Sequence, residues 1–263
     1  MQLELLVIDP QNDFCDLKGS LFVPGADKNM ERLSKFINRI SKKLDDIHVT
    51  LDTHHYVDIA HPIFWVNSEG NHPKPFTIVE VDDLTNGVWR TTNPQFQERS
   101  LDYTLQLSRN KRYPLCIWPP HCLIGSWGHN VHPSLFKELL GWEKSFAMVD
   151  YVTKGSNFWT EHYSAVQADV PDPNDPDTML NTRLIETLER ADIILLAGEA
   201  RSHCLANTVR DIADNFGEEN IKKMVLLSDA TSDVPGFENL GESFVDEMVK
   251  RGMQISTTID FLK

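Results

Sequence analysis

Short apolar runs alternate with amphipathic segments along most of this 263-residue chain. The runs are rich in β-branched residues and predict buried strands at 3–9, 47–52, 146–151, 192–198 and 223–229, with a weaker one at 253–259. Between several of them, apolar residues recur with the period of an α-helix, as in LNTRLIETLERA and ENLGESFVDEMVKRG. This alternation predicts an α/β fold of three layers, with a mostly parallel sheet covered by helices on both faces.

Polar residues follow the predicted strands at three points. Asp9 ends the first strand, Asp52 ends the second, and the turn 198–204 follows a later one. Because ligands of parallel sheets bind beyond the carboxyl ends of the strands, we expect these three places to face one crevice. No GxGxxG or GxxxxGK[ST] motif follows any of the strands, which disfavours an enzyme that binds a dinucleotide or a nucleoside triphosphate.

The segment 66–113 interrupts the alternation of strands and helices. It is polar and rich in proline, and its helical pattern is confined to PQFQERSLDYTLQLSRN, residues 94–110. A stretch of this length is too long for an ordinary connection between two elements. We therefore predict a single domain over 1–263 with an insertion at 66–113 that forms a lid or an oligomer contact.

Composition and charge narrow the classes of function. The chain is 41% hydrophobic and 24% charged, which suits a globular protein with a substantial core. Its formal net charge of −14 disfavours nucleic acid and anionic membranes as partners, since both bind positive surfaces. No apolar run is long enough to cross a bilayer, and the first residues lack the pattern of a signal peptide. We expect a cytoplasmic protein whose partner is a small molecule.

The cysteines lack the paired spacing of a zinc ribbon or a disulfide framework, so we predict four reduced thiols, Cys15, Cys116, Cys122 and Cys204. Cys204 lies in GEARSHCLANTVRD, where an apolar strand passes into a helical pattern. A free cysteine is usually a small core residue. At a helix N-terminus, however, unpaired N–H groups and the helix dipole favour the thiolate. Cys204 is therefore a candidate nucleophile that needs a base and a cation.

Two other strand ends offer the base and the cation. Aspartates beside strands are often turn caps, and in IDPQNDF that description fits Asp13 better than Asp9. Asp9 comes directly off the apolar strand, where burial would raise its pKa and let it exchange protons near neutral pH. Lys154 follows the predicted strand at 146–151, and an ordinary lysine there would be solvated. Beside a thiol and a carboxylate, it would stabilise both anions.

Histidines follow the second predicted strand, in LDTHHYVDIAH. Because successive strand residues point to opposite sides, Asp52 and His54 can face one point while His55 turns away. His61 lies close enough on the following loop to join them, and His121 in WPPHC could supply a third imidazole. Lone histidines are often surface residues. Carboxylate and imidazole together nevertheless suit a divalent metal such as zinc, iron or manganese.

Taken in order along the chain, these motifs resemble the nicotinamidase branch of the isochorismatase-like cysteine hydrolases. The resemblance covers residues 1–64 and 114–263 and leaves out the insertion. It rests on six motifs in register: D-x-Q-x-D-F (Asp9, Gln11, Asp13, Phe14), D-x-H…H (Asp52, His54, His61), WPPHC followed by HPSL (Trp118 to Cys122 and His132 to Leu135), KG (Lys154, Gly155), YSA (Tyr163 to Ala165) and G-x-A-x-x-x-C (Gly198, Ala200, Cys204).

The resemblance implies both a fold and a set of reacting groups. The fold would be the isochorismatase-like hydrolase fold, and the activity that of a cysteine amidohydrolase acting on a linear amide. The catalytic triad would be Asp9, Lys154 and Cys204. A cis peptide at Glu199–Ala200 would come just before the nucleophile, and the backbone N–H groups of Ala200 and Cys204 would form the oxyanion hole.

A bound metal and a substrate are implied as well. One divalent ion, most simply zinc, would bind the ring nitrogen of a pyridine and would itself be held by Asp52, His54, His61 and His121. Phe14 and Trp118 would line the pocket around a flat ring. Because branches of the superfamily without a metal act on other substrates, these ligands favour nicotinamide, which would be hydrolysed to nicotinate and ammonia through a thioester, as part of NAD salvage.

Two departures from the family's pattern leave alternatives open. Ser202 stands two positions before the nucleophile, where an acidic residue is usual, and Arg201 beside it is uncommon; the spacing from His54 to His61 is one residue longer than usual. The first alternative is a related amidase for a small carboxylated amide, with Arg201 in the substrate site pairing the carboxylate. The second is a catalytically silent metal-binding protein on the same fold, which the intact triad disfavours. A homo-oligomer is compatible with either.

Overall fold

Six parallel strands form the centre of the molecule. The computed structural model describes residues 1–263. It contains ten strands: β1 (Leu3–Ile8), β2 (Asp46–Asp52), β3 (Trp65–Val66), β4 (Ile78–Val79), β5 (Arg90–Thr91), β6 (Leu115–Cys116), β7 (Asp150–Lys154), β8 (Ile193–Gly198), β9 (Met224–Leu227) and β10 (Gln254–Ser256). The central sheet has the order β10-β9-β8-β1-β2-β7, and all its neighbouring strands run parallel.

Helices cover both faces of this sheet. They are α1 (Asn12–Cys15), α2 (Ala26–Ile40), α3 (Val81–Thr85), α4 (Gln97–Arg109), α5 (Pro133–Glu143), α6 (Thr182–Arg190), α7 (Ala206–Phe216) and α8 (Glu238–Arg251). All six residues of β1 are buried although alternate side chains point to opposite faces, so both faces are covered. Helix α2 packs beside α5, and α7 contacts α6 and α8. The predicted fold class, a mostly parallel three-layer α/β architecture, is confirmed.

Local sequence explains where the covering helices begin and end. The side chain of Asn181 accepts a hydrogen bond from the backbone N–H of Leu184 at 3.1 Å and so caps α6. On that helix the apolar residues Leu184, Ile185 and Leu188 recur at helical spacing, and all three are buried. None of the eight helices combines the length and the apolar character that a bilayer crossing requires.

One predicted strand lies elsewhere than expected. The apolar run at 146–151 predicts a strand there, but β7 begins at Asp150 and continues to Lys154. Phe146 is fully exposed with a φ of 65°, a left-handed conformation that an extended strand cannot contain. The apolar side chains of 146–148 therefore lie in a loop. As a result Lys154 is the last residue of the strand and is held in register opposite Asp52.

The segment 66–113 forms short elements of its own. Strand β3 pairs with β5 and β4 pairs with β6, both in antiparallel fashion. The helical pattern at 94–110 is confirmed as one 3-10 turn, Pro94–Phe96, followed by α4. Tyr103 and Leu107 on α4 are buried, so this helix packs against the rest of the domain. Whether the segment also acts as a lid or an oligomer contact stays a prediction.

Candidate active site

The ends of β1 and β2 meet as parallel neighbours. Asp9 follows β1 directly and is fully buried. Thr50 of β2 accepts a hydrogen bond from the backbone N–H of Asp9 at 2.9 Å and donates its own hydroxyl to the Asp9 carboxylate at 2.5 Å. Gln11 exchanges two hydrogen bonds with the backbone of Asp52, each 2.7 Å long. Asp13 accepts from the backbone N–H groups of Ser20 and Cys122 and so has the capping position that the sequence predicts.

Lys154, the last residue of β7, contacts the carboxylates at the ends of both β1 and β2. Its Nζ lies 2.9 Å from a carboxylate oxygen of Asp9 and 2.9 Å from one of Asp52. It also lies 3.6 Å from the Cys204 sulfur and donates to the carbonyl of His162 at 2.9 Å. The side chain is 1% exposed, so a buried ammonium bridges two carboxylates and a thiol.

Cys204 lies in the turn that joins β8 to α7. One π-helical turn, Arg201–Leu205, precedes α7 and holds the thiol inward, where the residue is 8% exposed. Just before this turn the peptide bond Glu199–Ala200 is cis, as the resemblance implies. The backbone N–H of Ala200 has no hydrogen-bond acceptor within the protein. A donor is thus free beside the sulfur.

Burial and charge set the protonation states of these groups in opposite ways. Burial raises the pKa of Asp9 despite the nearby Lys154 charge. Burial likewise raises the pKa of the Cys204 thiol well above its usual value, which Lys154 only partly offsets. For Lys154, burial favours the neutral amine, but Asp52 and Asp9 outweigh it and hold the pKa well above the usual range. The resting site therefore combines a protonated thiol, a charged lysine and a carboxyl poised to exchange protons.

Three metal-ligating side chains converge beside this cluster. Ligand atoms of Asp52, His54 and His121 all lie within 4.8 Å of one another, and all three residues are buried. The Nε2 atoms of His54 and His121 lie 3.1 Å and 3.3 Å from the same oxygen of Asp52. Burial would raise the pKa of Asp52, but the His54 and Lys154 charges together hold it well below its usual range. A carboxylate with two imidazoles is a donor set that suits zinc and other divalent transition metals.

His61 lies against this group without belonging to it. Its ring centroid is 5.2 Å from that of His54 and 5.6 Å from that of His121. Its Nδ1 is 3.2 Å from the carbonyl of Tyr56, whereas its Nε2 is buried with no hydrogen-bond partner in the protein. A buried ring nitrogen without a partner in the protein is explained by a bound water or ion. Exposed His55 turns away, as the strand alternation predicts.

A cavity opens onto the Cys204 sulfur and onto Asp52 and His121. Phe14 and Trp118, predicted to line the pocket, are among its walls, together with Cys204. Arg201, predicted to bind substrate, is not among its lining residues. Its guanidinium forms a two-pronged ion pair with Asp233 and therefore points away from the cavity.

The cavity is also lined by Glu161, His203 and Tyr163, which the motifs did not single out as contacts. Glu161 is buried, one of its carboxylate oxygens has no hydrogen-bond partner, and burial raises its pKa to about 8. His203, adjacent to the nucleophile, is kept neutral because burial lowers its pKa to about 3. Tyr163 completes an aromatic wall, since its hydroxyl accepts a hydrogen bond from the indole N–H of Trp118 at 3.0 Å. The position of Tyr163 in YSA and of His203 beside Cys204 could have indicated these two; nothing in the pattern marks Glu161.

The segment 66–113 supports two of the cavity walls from behind. The phenol oxygen of Tyr103 on α4 accepts a hydrogen bond from the backbone N–H of Glu161 at 3.1 Å. Phe76 packs edge-on against Trp118, with 5.6 Å between the ring centroids. Both contacts connect the insertion to residues that line the cavity.

Comparisons of the sequence find no matching family model and no matching curated protein. Solved structures do match. The yeast nicotinamidase bound to the inhibitor nicotinaldehyde is 18% identical, covers 97% of this chain and 100% of its own, and superposes with a TM-score of 0.68. A nicotinamidase/pyrazinamidase from Acinetobacter baumanii is 20% identical over 99% of this chain and 98% of its own, with a TM-score of 0.67. A pyrazinamidase from Pyrococcus horikoshii, in complex with zinc, is 18% identical over 98% and 99%, with a TM-score of 0.56.

The likeness extends along nearly the whole chain in every case, at a sequence identity too low to be read as close kinship. The chain therefore has the isochorismatase-like fold of the nicotinamidase and pyrazinamidase structures.

Proposed function

We propose that this protein is a cysteine amidohydrolase that converts nicotinamide to nicotinate and ammonia. The observation that carries the proposal is the position of Lys154, whose Nζ lies 2.9 Å from Asp9 and 3.6 Å from the Cys204 sulfur. A nucleophile, a base and a fixed cation thus meet at one end of a cavity walled by aromatic rings. The fold shared with nicotinamidase structures supports the same activity.

The proposed chemistry begins with a proton transfer from the Cys204 thiol to Asp9. Lys154 holds both groups and stabilises the thiolate. The sulfur attacks the amide carbon, and the N–H groups of Ala200 and Cys204 receive the charge that develops on oxygen, a stabilisation of about 3–4 kcal/mol per donor in enzymes where one was removed. The C–N bond breaks, ammonia leaves with the proton from Asp9, and a thioester remains on the sulfur.

Water completes the reaction. Asp9, again a carboxylate, takes a proton from water as the oxygen attacks the thioester carbon. The C–S bond breaks, nicotinate is released, and the proton on Asp9 returns to the sulfur. Because the raised pKa of Asp9 lies closer to neutrality than that of an ordinary aspartate, the same group can accept and donate a proton in each cycle.

The residues beside the cavity fit one divalent metal ion, with zinc the simplest choice. Asp52, His54 and His121 would hold it, and the unpartnered Nε2 of His61 is a candidate fourth donor. When bound, the ion would supply a Lewis acid that accepts the pyridine nitrogen and so orients the ring. Phe14 and Trp118 would hold the faces of that ring, with the amide toward the sulfur.

The ion pair of Arg201 with Asp233 disfavours the alternative of a carboxylated amide, because that guanidinium is already neutralised outside the cavity. Nicotinate formed by the proposed reaction would enter pyridine nucleotide synthesis, which fits a cytoplasmic enzyme of NAD salvage. The alternative of a catalytically silent metal-binding protein is also disfavoured, since the groups needed for covalent catalysis lie in contact.

A panel of amides tests the proposal through ammonia release. The zinc-loaded protein should hydrolyse nicotinamide, and benzamide, which lacks the ring nitrogen, should be a poor substrate. Cys204→Ala should lower nicotinamide hydrolysis by at least about 10³-fold, because no other group can form the thioester. Cys116→Ala, which removes a buried thiol outside the cavity, is the matched control and should keep the activity. Hydrolysis of benzamide as fast as nicotinamide, or full activity of Cys204→Ala, would contradict the proposal.

A further inference from the structure

The rings of His54, His61 and His121 are oriented in the same way, with Nδ1 facing an oxygen atom, but a different group supplies that oxygen in each case. Nε2 of His54 and of His121 faces Asp52, and Nε2 of His61 is buried without a partner. His121 and His61 use the backbone carbonyls of Pro119 and Tyr56, at 2.9 Å and 3.2 Å. His54 alone uses a carboxylate, an oxygen of Asp58 at 3.0 Å.

Asp58 is fully buried, and both of its carboxylate oxygens and its backbone carbonyl face hydrogen-bonding groups. One carboxylate oxygen faces Nδ1 of His54, and the other accepts the backbone N–H of Ala60 at 2.9 Å. Its carbonyl accepts the backbone N–H of His61 at 2.9 Å. A single side chain and its backbone therefore join the beginning and the end of the loop that carries both histidines.

We propose that Asp58 is a positioning residue for the metal site, which sets the tautomer of His54 and favours a bound cation. The inference rests on the metal of the proposed function. A carboxylate can only accept, so it keeps the proton on Nδ1 and leaves the Nε2 lone pair for the ion. It also adds a second buried negative charge to that of Asp52, and because Lys154 already shares the Asp52 charge, this addition favours a bound cation in a site with little water.

The isosteric change Asp58→Asn reverses this arrangement without removing a hydrogen bond. The backbone N–H of Ala60 requires an acceptor, so it holds the amide oxygen and turns the amide nitrogen toward His54. Nδ1 must then accept, and the proton moves to Nε2, where it can donate to Asp52 at 3.1 Å. The metal-free variant keeps a complete network and should fold, but a metal must then displace the proton on Nε2 before it can bind there.

The experiment measures zinc affinity by chelator competition, and the protonation of His54 by ¹H–¹⁵N correlation NMR of the zinc-loaded protein. Asp58→Asn should weaken zinc binding by about 10- to 100-fold, the usual effect of a lost partner to a ligating histidine. In the wild type the His54 Nδ1 proton should be observed. Metal-free thermal unfolding should be close to wild type.

Asp150→Asn is the matched control. Asp150 lies 3.0 Å from Nδ1 of His48, a carboxylate–imidazole contact at the opposite end of the sheet in which the imidazole is buried and the carboxylate is partly exposed. This variant should leave zinc affinity unchanged. Zinc affinity of Asp58→Asn within about twofold of wild type, or an equal loss in Asp150→Asn, overturns the inference. A wild-type protein that binds zinc through His54 but releases no ammonia from any amide would refute the proposed function and leave the role of Asp58 standing.

Discussion

The Lys154 ammonium is buried among its partners. Its ammonium contacts Asp9 and Asp52 at 2.9 Å, and its side chain is 1% exposed. Two carboxylates that share one buried cation depend on it, because removing one member of a buried ion pair leaves an unpaired charge in a medium of low dielectric. The same residue therefore contributes to stability and, in the proposed reaction, to the thiolate.

Lys154→Met tests this dependence at the scale of one residue. The variant should lose about 3–5 kcal/mol of unfolding free energy at neutral pH, since Asp9 and Asp52 would face each other without a cation. Ammonia release should fall together with stability. Urea denaturation supplies the measurement, and Lys28→Met, at an exposed lysine on α2, is the control. Equal stability of the two variants would show that Lys154 is not needed to compensate the carboxylates.

The chemistry of single residues was predictable where strand geometry decides it. The carboxyl ends of parallel strands share one edge, and this rule alone brings Asp9, Asp52 and Cys204 together. It could not indicate Glu161 or show that Arg201 lies outside the cavity. Glu161 lies in a loop without periodicity, and the partner of Arg201 is 32 residues away in another loop. Such contacts depend on tertiary packing, which no local pattern reports.

At the scale of elements, the site depends on how closely β8 approaches β1. Gly198 ends β8 with a φ of 108° and lies in register opposite Ile8. A Cβ placed there would come within 2.0 Å of the carbonyl oxygen of Ile8, a contact that neither backbone could relieve without moving. Because Asp9 follows Ile8 and the Cys204 turn follows Gly198, this one approach sets the distance between the base and the nucleophile.

Gly198→Ala should therefore separate these two elements. We expect a loss of more than about 2 kcal/mol of unfolding free energy, from the positive φ and the backbone clash together, along with most of the activity. Gly141→Ala on α5 is the control, since a Cβ there meets nothing within 4 Å and alanine favours a helix. Denaturant unfolding of the two variants measures the difference. If Gly198→Ala matched Gly141→Ala in stability, the close approach would not be a constraint.

Element boundaries were the weaker part of the sequence interpretation. The pattern at 146–151 predicts a strand because Phe146, Ala147, Met148 and Val149 are apolar, yet β7 starts at Asp150. Apolar composition cannot distinguish a strand from an exposed loop when the deciding factor is register with a neighbour. Here the register of β2 against β7 pairs Asp52 with Lys154 and so fixes the strand four residues further along.

At the scale of the whole molecule, the sheet carries buried titratable groups at both ends. The candidate active site occupies the carboxyl end. Near the amino end, His48 of β2 lies between Glu4 of β1 at 3.4 Å and Asp150 of β7 at 3.0 Å, with Asp46 close by. Burial would lower the pKa of His48, but its contacts with the Glu4 and Asp150 carboxylates outweigh burial and raise the pKa above the usual 6.5. A buried imidazole thus joins three neighbouring strands.

This pair of contacts predicts a pH dependence of stability. Because the folded pKa of His48 lies above the unfolded value, its contribution is fully present below about pH 6.5 and is lost as the pH rises through the folded pKa. Each unit of that shift is worth about 1.4 kcal/mol. His48→Gln should therefore flatten the decline in unfolding free energy as the pH rises above about 6.5. Urea denaturation at each pH measures the decline in both proteins. Parallel declines for wild type and variant would exclude His48 as the source of the pH dependence.

The burial of the metal-ligating group determines which forms of a pyridine the molecule could accept. Asp52, His54 and His121 are each at most 4% exposed, and Asp52 and His121 line the cavity. In the proposed orientation the ring nitrogen faces these side chains, so that nitrogen must be free of substituents. A pyridine joined to ribose, as in the intact dinucleotide coenzyme, cannot enter that way round. Under the proposed function, the geometry that orients the free vitamin would therefore leave the intact coenzyme unhydrolysed.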